Sequence, residues 1–121
     1  MGDTMTASVP EQPRIPQPPE TVTALRQAVA QIAPAALPSF SRELDQAADE
    51  ARQAADLAPL RRFTAQWALY VQIQRHPAVA ERFRELEDLA TVGDADQARR
   101  AAAELGRILD AARAALTQGR Q

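Results

Sequence analysis

A chain of 121 residues with a formal net charge of −2 has room for one domain and carries no global positive charge to attract nucleic acid. It contains no cysteine, which excludes disulfides, a thiol nucleophile and a cysteine-type zinc site. No apolar run approaches the roughly 18 residues of a membrane-spanning helix, and the segment from Met1 to Met5 does not resemble a signal peptide. We therefore expect a cytoplasmic protein without a membrane anchor.

The N-terminal stretch is dominated by proline. Five of the nine prolines fall within the first 20 residues, where large apolar side chains are almost absent. Repeated proline excludes helix and favours an extended chain. We predict a disordered tail over residues 1–20 and a single helical bundle over residues 21–119. The Pro13-Arg14-Ile15-Pro16 run matches a PxxP ligand core, but a plain disordered leader is the favoured interpretation.

Apolar spacing predicts two helices next. The first covers about Val22 to Ala33 and ends at Pro34. The second is predicted to begin at a cap formed by Ser39 or Ser41 and to reach about Ala55. Most of the second helix's apolar face is alanine, so we expect a neighbouring helix to approach it closely.

The third predicted helix carries most of the large apolar side chains. Asp56 is its expected N-cap, Pro59 lies in its first turn, and Pro77 ends it near Arg75. Leu60, Phe63 and Trp67 follow at helical spacing on one face. We expect Phe63 and Trp67 to point into the core.

Two more helices complete the pattern. Pro77 is expected to begin the fourth helix and Gly93 to end it. Asp94 with Gln97 has the spacing of a capping box for the fifth, which runs to about Thr117 before Gly119. No segment alternates like a strand. The sequence therefore predicts an all-α fold, a compact bundle of about five helices.

Catalytic chemistry is not indicated. His76 is the only histidine, and its place beside Pro77 favours a role at a helix junction; an enzyme centred on it is the least favoured interpretation. Glu81, Glu85 and Asp88 share one helix face, yet interleaved arginines make this a solvated charged face rather than a metal site. We expect no catalytic residue, no cofactor and no metal.

Two arginine pairs open predicted helices, where a positive charge opposes the helix dipole. Asp96 lies within one turn of Arg99 and Arg100, so a local ion pair accounts for these two arginines without an external partner. Arg61 and Arg62 have only Asp56 nearby, which favours an external acidic partner. A DNA-binding regulator that uses all four arginines is the alternative function.

Two further residues are candidates for contact with a protein. Tyr70 and Ile73 lie on a strip beside the Phe63 and Trp67 face, and one bundle need not cover both strips. An apolar surface that is left uncovered often marks an interface. The predicted partner-binding residues are Arg61, Arg62, Tyr70 and Ile73, and an isologous dimer through the third helix is a further possibility.

Part of the chain resembles a known family. Over about residues 22–85 it is similar to short helical proteins of unknown function that are common in high-GC actinobacteria. The runs that carry the resemblance are Ala36-Leu37-Pro38-Ser39-Phe40, Glu43-Leu44-Asp45, Glu50-Ala51-Arg52, Asp56-Leu57-Ala58-Pro59-Leu60, Phe63, Trp67 and Arg75-His76-Pro77. Family members often have Asp-Pro where this chain has His76-Pro77.

The resemblance implies a function as well as a fold. The family is associated with genes for RelE/ParE-type toxins, which implies an antitoxin-like role. The sequence lacks a ribbon-helix-helix or helix-turn-helix signature, so direct operator binding is not implied. The favoured function is therefore a non-catalytic protein–protein interaction module that binds and neutralises a small toxin.

Overall fold

Proline, glycine and one capping box divide the chain into the predicted helices. A computed structural model describes residues 12–119, which form one all-α bundle without strands. The predicted fold class is confirmed. The helices are α1 (Val22–Ile32), α2 (Leu37–Ala54), α3 (Ala58–Gln74), α4 (Pro77–Val92) and α5 (Ala95–Gly119), and a 3₁₀ turn (Pro34–Ala36) joins α1 to α2.

Local signals set several helix ends as predicted. Pro77 is the first residue of α4. The backbone N–H of Gln97 donates to Asp94 Oδ1 over 2.9 Å, and the N–H of Asp94 donates to Gln97 Oε1 over 3.0 Å. This reciprocal pair is the predicted capping box, and it satisfies two N–H groups that the first turn of α5 leaves free.

Two predicted caps lie elsewhere. α2 begins at Leu37, before Ser39 and Ser41, because Pro38 fits in a first turn that needs no N–H donor there. The Ser39 hydroxyl instead accepts a hydrogen bond from Arg42. Asp56 lies one residue before the N-cap of α3, yet its carboxylate accepts a hydrogen bond from the Ala58 N–H over 2.9 Å.

Gly93 separates α4 from α5 for a steric reason. Its φ of −74° is accessible to any residue, so it does not provide the left-handed turn expected of a helix-ending glycine. A Cβ atom at this position would lie 2.6 Å from the carbonyl oxygen of Leu89. The position needs glycine because the backbone passes too close for a side chain.

Helix α3 lies at the centre of the bundle, in contact with all four other helices. Its buried side chains include Phe63, Trp67, Ala68, Val71 and Ile73, which point to different sides of the helix. A helix that is apolar around most of its circumference must be covered on most sides. This requirement arranges α1, α2, α4 and α5 around it.

Aromatic rings join α2 to α3. Phe40 is fully buried, and its ring centroid lies 5.0 Å from those of both Phe63 and Trp67 in edge-to-face geometry. The Trp67 indole N–H donates to Glu43 Oε1 over 3.0 Å. This bond satisfies a polar group that would otherwise be costly to bury. Phe63 and Trp67 are core residues, as predicted.

Helices α4 and α5 form an antiparallel hairpin whose buried residues are mostly alanine. Ala80, Leu86, Ala101 and Ala112 are buried, and none of them belongs to the aromatic core cluster around α3. Arg82 holds Glu104 on the facing helix with two hydrogen bonds of 2.9 Å. No helix in the described part of the chain is long and apolar enough to cross a bilayer.

Residues 12–20 correct the predicted tail. They form an extended segment, named the N-terminal strap, that lies against the bundle. The Arg14 N–H donates to the carbonyl of Arg75 over 2.7 Å, and the Gln17 side chain donates to the carbonyl of Ala68 over 3.2 Å. Ile15 packs against the core. The prediction of disorder is therefore wrong for residues 12–20, and residues 1–11 lie outside the described part of the chain.

The strap is held at helix ends. Besides its backbone bond at the end of α3, Arg14 donates through Nη1 to the carbonyl of Ile32 at the end of α1, over 3.0 Å. The last carbonyls of a helix have no partner within the helix and carry partial negative charge, so a guanidinium is well suited to them. Proline content excluded helix here but did not prevent ordered packing, because the helices supply the hydrogen-bond partners.

Truncating Phe40 tests the aromatic junction. We expect Phe40→Ala to lower the free energy of unfolding by about 3–5 kcal/mol, because it removes a fully buried ring and two edge-to-face contacts. Urea denaturation followed by circular dichroism measures the change. Leu57→Ala is the matched control, since Leu57 is 61% exposed. Equal effects of the two substitutions would contradict the assigned core.

Replacing Arg14 tests the strap. We expect Arg14→Ala to destabilise the protein by about 1 kcal/mol, the net contribution of a hydrogen bond that holds a helix end. The same denaturation experiment applies. Arg52→Ala is the control, because within residues 12–119 its exposed side chain pairs only with Asp49, one turn away, and should contribute less. If the strap does not stabilise the bundle, the two variants will have the same free energy of unfolding.

Candidate functional site: an apolar groove where three helices meet

A groove opens where α3 ends and α4 begins, alongside the middle of α5. We call it the junction groove, and its volume is about 230 Å³. Its lining is mostly apolar, and its two polar members are Gln72 and His76. The lining residues are Gln72, Ile73, His76, Val79, Ile108, Ala111 and Ala112.

The groove results from a mismatch in side-chain size. Ile73 of α3 and Val79 of α4 line it, while α5 contributes Ile108 and then two small residues, Ala111 and Ala112. Two alanines cannot fill the space between helices that bulky residues hold apart. The volume is several times the roughly 30 Å³ of a water molecule, enough for an apolar side chain from another molecule. Val79 remains 38% exposed at its edge.

Of the predicted strip, Tyr70 is half-buried and Ile73 is buried. Ile73 is only 5% exposed, which corrects the expectation of an uncovered edge, because α5 packs over this side of α3. Tyr70 contacts Trp67 edge-to-face at a centroid distance of 5.0 Å. A dimer through this part of α3 therefore has little apolar surface to use. Ile73 keeps a place in the site because it forms part of the groove lining.

Arg61 and Arg62 are exposed on the first turn of α3, away from the junction groove. Arg61 lies 4.0 Å from the carboxylate of Asp56, the local acid noted in the sequence. Arg62 lines a shallow cleft between α2 and α3, together with Glu43 and Glu50. The structure thus separates these arginines from Ile73 and places carboxylates near both.

The second arginine pair lies at the start of α5. Arg99 forms an ion pair with Asp96, as the spacing predicts. Arg100 lies instead beside a groove between α4 and α5. Arg62 lines the cleft between α2 and α3, whereas Arg100 lines the groove between α4 and α5, and the two share no lining residue. The structure thus places these arginines at separate sites.

His76 lies at the rim of the junction groove and is the N-cap residue of α4. Its backbone N–H donates to the carbonyl of Ile73, and its own carbonyl accepts from Ala80, over 3.2 and 2.9 Å. These bonds turn the chain from α3 into α4, which is the predicted junction role. Within residues 12–119, no group of three or more histidine and carboxylate side chains is placed to hold a metal ion.

The sequence did not reveal the groove itself. Val79 and Ile108 were recognisable as members of apolar helix stripes, and both are only partly buried. Nothing in the sequence indicated that Ala111 would lie opposite Ile73. A helical pattern shows which residues share a face, but not which residue of a distant helix stands across from it.

A second cleft, of about 490 Å³, lies between the strap, α3 and the end of α5. It is lined by Gln17 and Arg75, whose Oε1 and Nε atoms are buried without a hydrogen-bond partner in the described residues. Burial lowers the pKa of the Arg75 guanidinium, which remains charged at neutral pH. The cleft has room for water at these two atoms.

No protein-family model matches this chain, and comparison with curated proteins and with solved structures finds no match either. The resemblance to the actinobacterial family therefore stays a prediction. The function has to be inferred from the chemistry of the protein's own surface.

The titration of Tyr70 reports on the packing beside the site. Burial raises the pKa of Tyr70 above the ordinary value of about 10, and the positive charge of Arg84 partly opposes this rise. The neutral phenol thus contributes stability that is present below about pH 10 and is lost as the pH rises through the folded-state pKa.

We expect tyrosinate absorbance to titrate above pH 10 in the folded protein, and the measurement is direct because the chain has one tyrosine. Arg84→Ala should raise this pKa further, since it removes the charge that favours the tyrosinate. Arg99→Ala is the control, as Arg99 lies at the far end of the hairpin. A lower pKa in Arg84→Ala would contradict the assigned contact.

Proposed function

We propose that this protein is a non-catalytic protein–protein interaction module, and that its junction groove takes an apolar side chain of a protein partner. The observation that carries the proposal is the groove itself, an apolar recess of about 230 Å³ with Val79 38% exposed at its edge. A recess that accepts an apolar anchor is how many interfaces obtain most of their affinity.

The character of the groove supports a protein rather than a polar small molecule as the partner. Apart from Gln72 and His76, its lining consists of aliphatic side chains and alanines. Such a lining offers burial of apolar surface and few groups to orient a charged substrate. A leucine, isoleucine or phenylalanine side chain from another protein suits it.

The resemblance to the actinobacterial family favours a particular kind of partner. We propose that the partner is a small toxin and that binding neutralises it in the cytoplasm, as an antitoxin does. The alternative of a DNA-binding regulator has less support. Carboxylates lie near three of the four arginines, Asp56 at Arg61, Glu50 in the cleft of Arg62 and Asp96 at Arg99, and these reduce attraction to phosphate.

Co-expression with the products of neighbouring genes tests the proposal. We expect one of these products to co-purify with the tagged wild-type protein and to regain toxicity when this protein is absent. Failure of every neighbouring product to co-purify would overturn the antitoxin-like function.

Val79→Glu tests the groove as the binding site. We expect it to weaken binding about tenfold or more, because it places a charge where the anchor is buried. Position 79 is the third residue of α4, where an acidic side chain favours the helix, so folding should be preserved. Leu57→Glu is the matched control, also an exposed apolar residue at a helix start. Equal loss of binding in both variants would exclude the groove.

A further inference from the structure

We infer that two copies of this chain associate through their α4–α5 hairpins and form a symmetric four-helix bundle. The surface involved lies next to the junction groove, and its pairing does not depend on the partner proposed above. Three features support the pairing: a groove between the two helices that no other helix lines, charges of opposite sign on the two helices, and the matching spacing of those charges.

The surface is a groove of about 440 Å³ between α4 and α5, which we call the hairpin groove. Leu86 is buried at its base and Leu89 is partly exposed. Val92, one turn further along α4, is 80% exposed. The hairpin is one layer of two helices here, and the remaining helices of the bundle do not line the groove. One face of the seam between α4 and α5 is therefore open.

The α5 side of the hairpin groove is positively charged. Arg100 and Arg107 both line it, and within residues 12–119 neither side chain forms a hydrogen bond or an ion pair within 4 Å, while the charge of Arg107 helps to lower the pKa of Glu104. The acid between them, Glu104, is already held by Arg82 of the same chain. Two guanidinium groups on one side of the groove are thus available to carboxylates from another molecule.

The chain carries such carboxylates on α4. Glu81 and Asp88 are exposed, each next in sequence to a lining residue of the groove, Arg82 and Leu89, and neither has an ion-pair partner in the described residues. They are seven residues apart, as are Arg100 and Arg107. Seven residues are about two helical turns, so each pair projects from one side of its helix with nearly the same separation of about 10 Å.

A two-fold axis parallel to the helices would place α4 of one copy, antiparallel, on α5 of the other. With Glu81 opposite Arg107 of the second copy, Asp88 falls opposite Arg100, because both pairs have the same spacing. Rotation about such an axis keeps each residue at its own height, and in the hairpin Arg82 lies level with Glu104. The proposed ion pairs are therefore offset along the helices by two residues, or about 3 Å. An arginine side chain spans that offset, and the symmetry forms each ion pair twice.

The available area indicates a weak dimer. α4 has 16 residues, so two adjacent helices present a face of about 24 Å by 20 Å, or about 500 Å² for each copy. That is at the low end of specific interfaces. We therefore expect an equilibrium between monomer and dimer in the micromolar range, weakened by salt because exposed charges contribute.

Sedimentation equilibrium of the full chain from about 1 µM to about 100 µM measures the association. We expect the apparent mass to rise from monomer towards dimer across this range at low salt. The double variant Arg100→Glu/Arg107→Glu should remain monomeric, as should Glu81→Arg/Asp88→Arg, because each places like charges opposite one another. Circular dichroism confirms that both variants keep the helical fold.

The decisive test mixes these two variants. In a mixed pair every α4–α5 contact again joins opposite charges, so we expect a heterodimer at concentrations where neither variant pairs with itself. Arg61→Glu/Arg62→Glu is the matched control, since it makes the same change in net charge on α3 and should dimerise like the wild type. A monomeric wild-type protein throughout the range would overturn the inference, and so would a mixture that fails to associate.

Discussion

Helix α3 is the constraint on which the rest of the structure depends, because its apolar side chains point to most sides at once. Phe63 and Trp67 meet Phe40 of α2, while Ile73 lies under α5. No single neighbour covers both sides, so each of the other four helices takes part of the surface. The alanines on α2 serve the same end, since small side chains allow that helix to lie close to the aromatic rings.

The hairpin of α4 and α5 is packed differently from the aromatic core around α3. The buried residues of α4 and α5 are three alanines and Leu86, and they stand apart from the aromatic core. Alanine permits close approach but buries little area. Half-covered aliphatic residues remain along the seam. This packing leaves two grooves. The junction groove lies where α5 passes the end of α3, and the hairpin groove lies where no further helix covers α4 and α5.

The N-terminal strap shows how helix ends can order a segment that has no regular structure of its own. α1 and α3 both end near Arg14, and their last carbonyls lack partners within the helices. One arginine joins the two ends, and Arg75 donates in return to the carbonyl of Ile15 over 3.4 Å. The same contacts bring the strap over the core, where Ile15 adds apolar cover.

The sequence by itself determined the helices and the aromatic core. Pro77, Gly93 and the Asp94–Gln97 box set helix ends through local geometry, and the spacing of Phe63 and Trp67 set the face that turns inward. Tertiary structure alone decided that Ile73 is buried, that residues 12–20 are ordered, and that Ala111 leaves a recess beside Val79. The candidate site follows from the packing of α5 against the end of α3. These features depend on distances between residues far apart in the chain, whereas proline content and helical periodicity report only on neighbours.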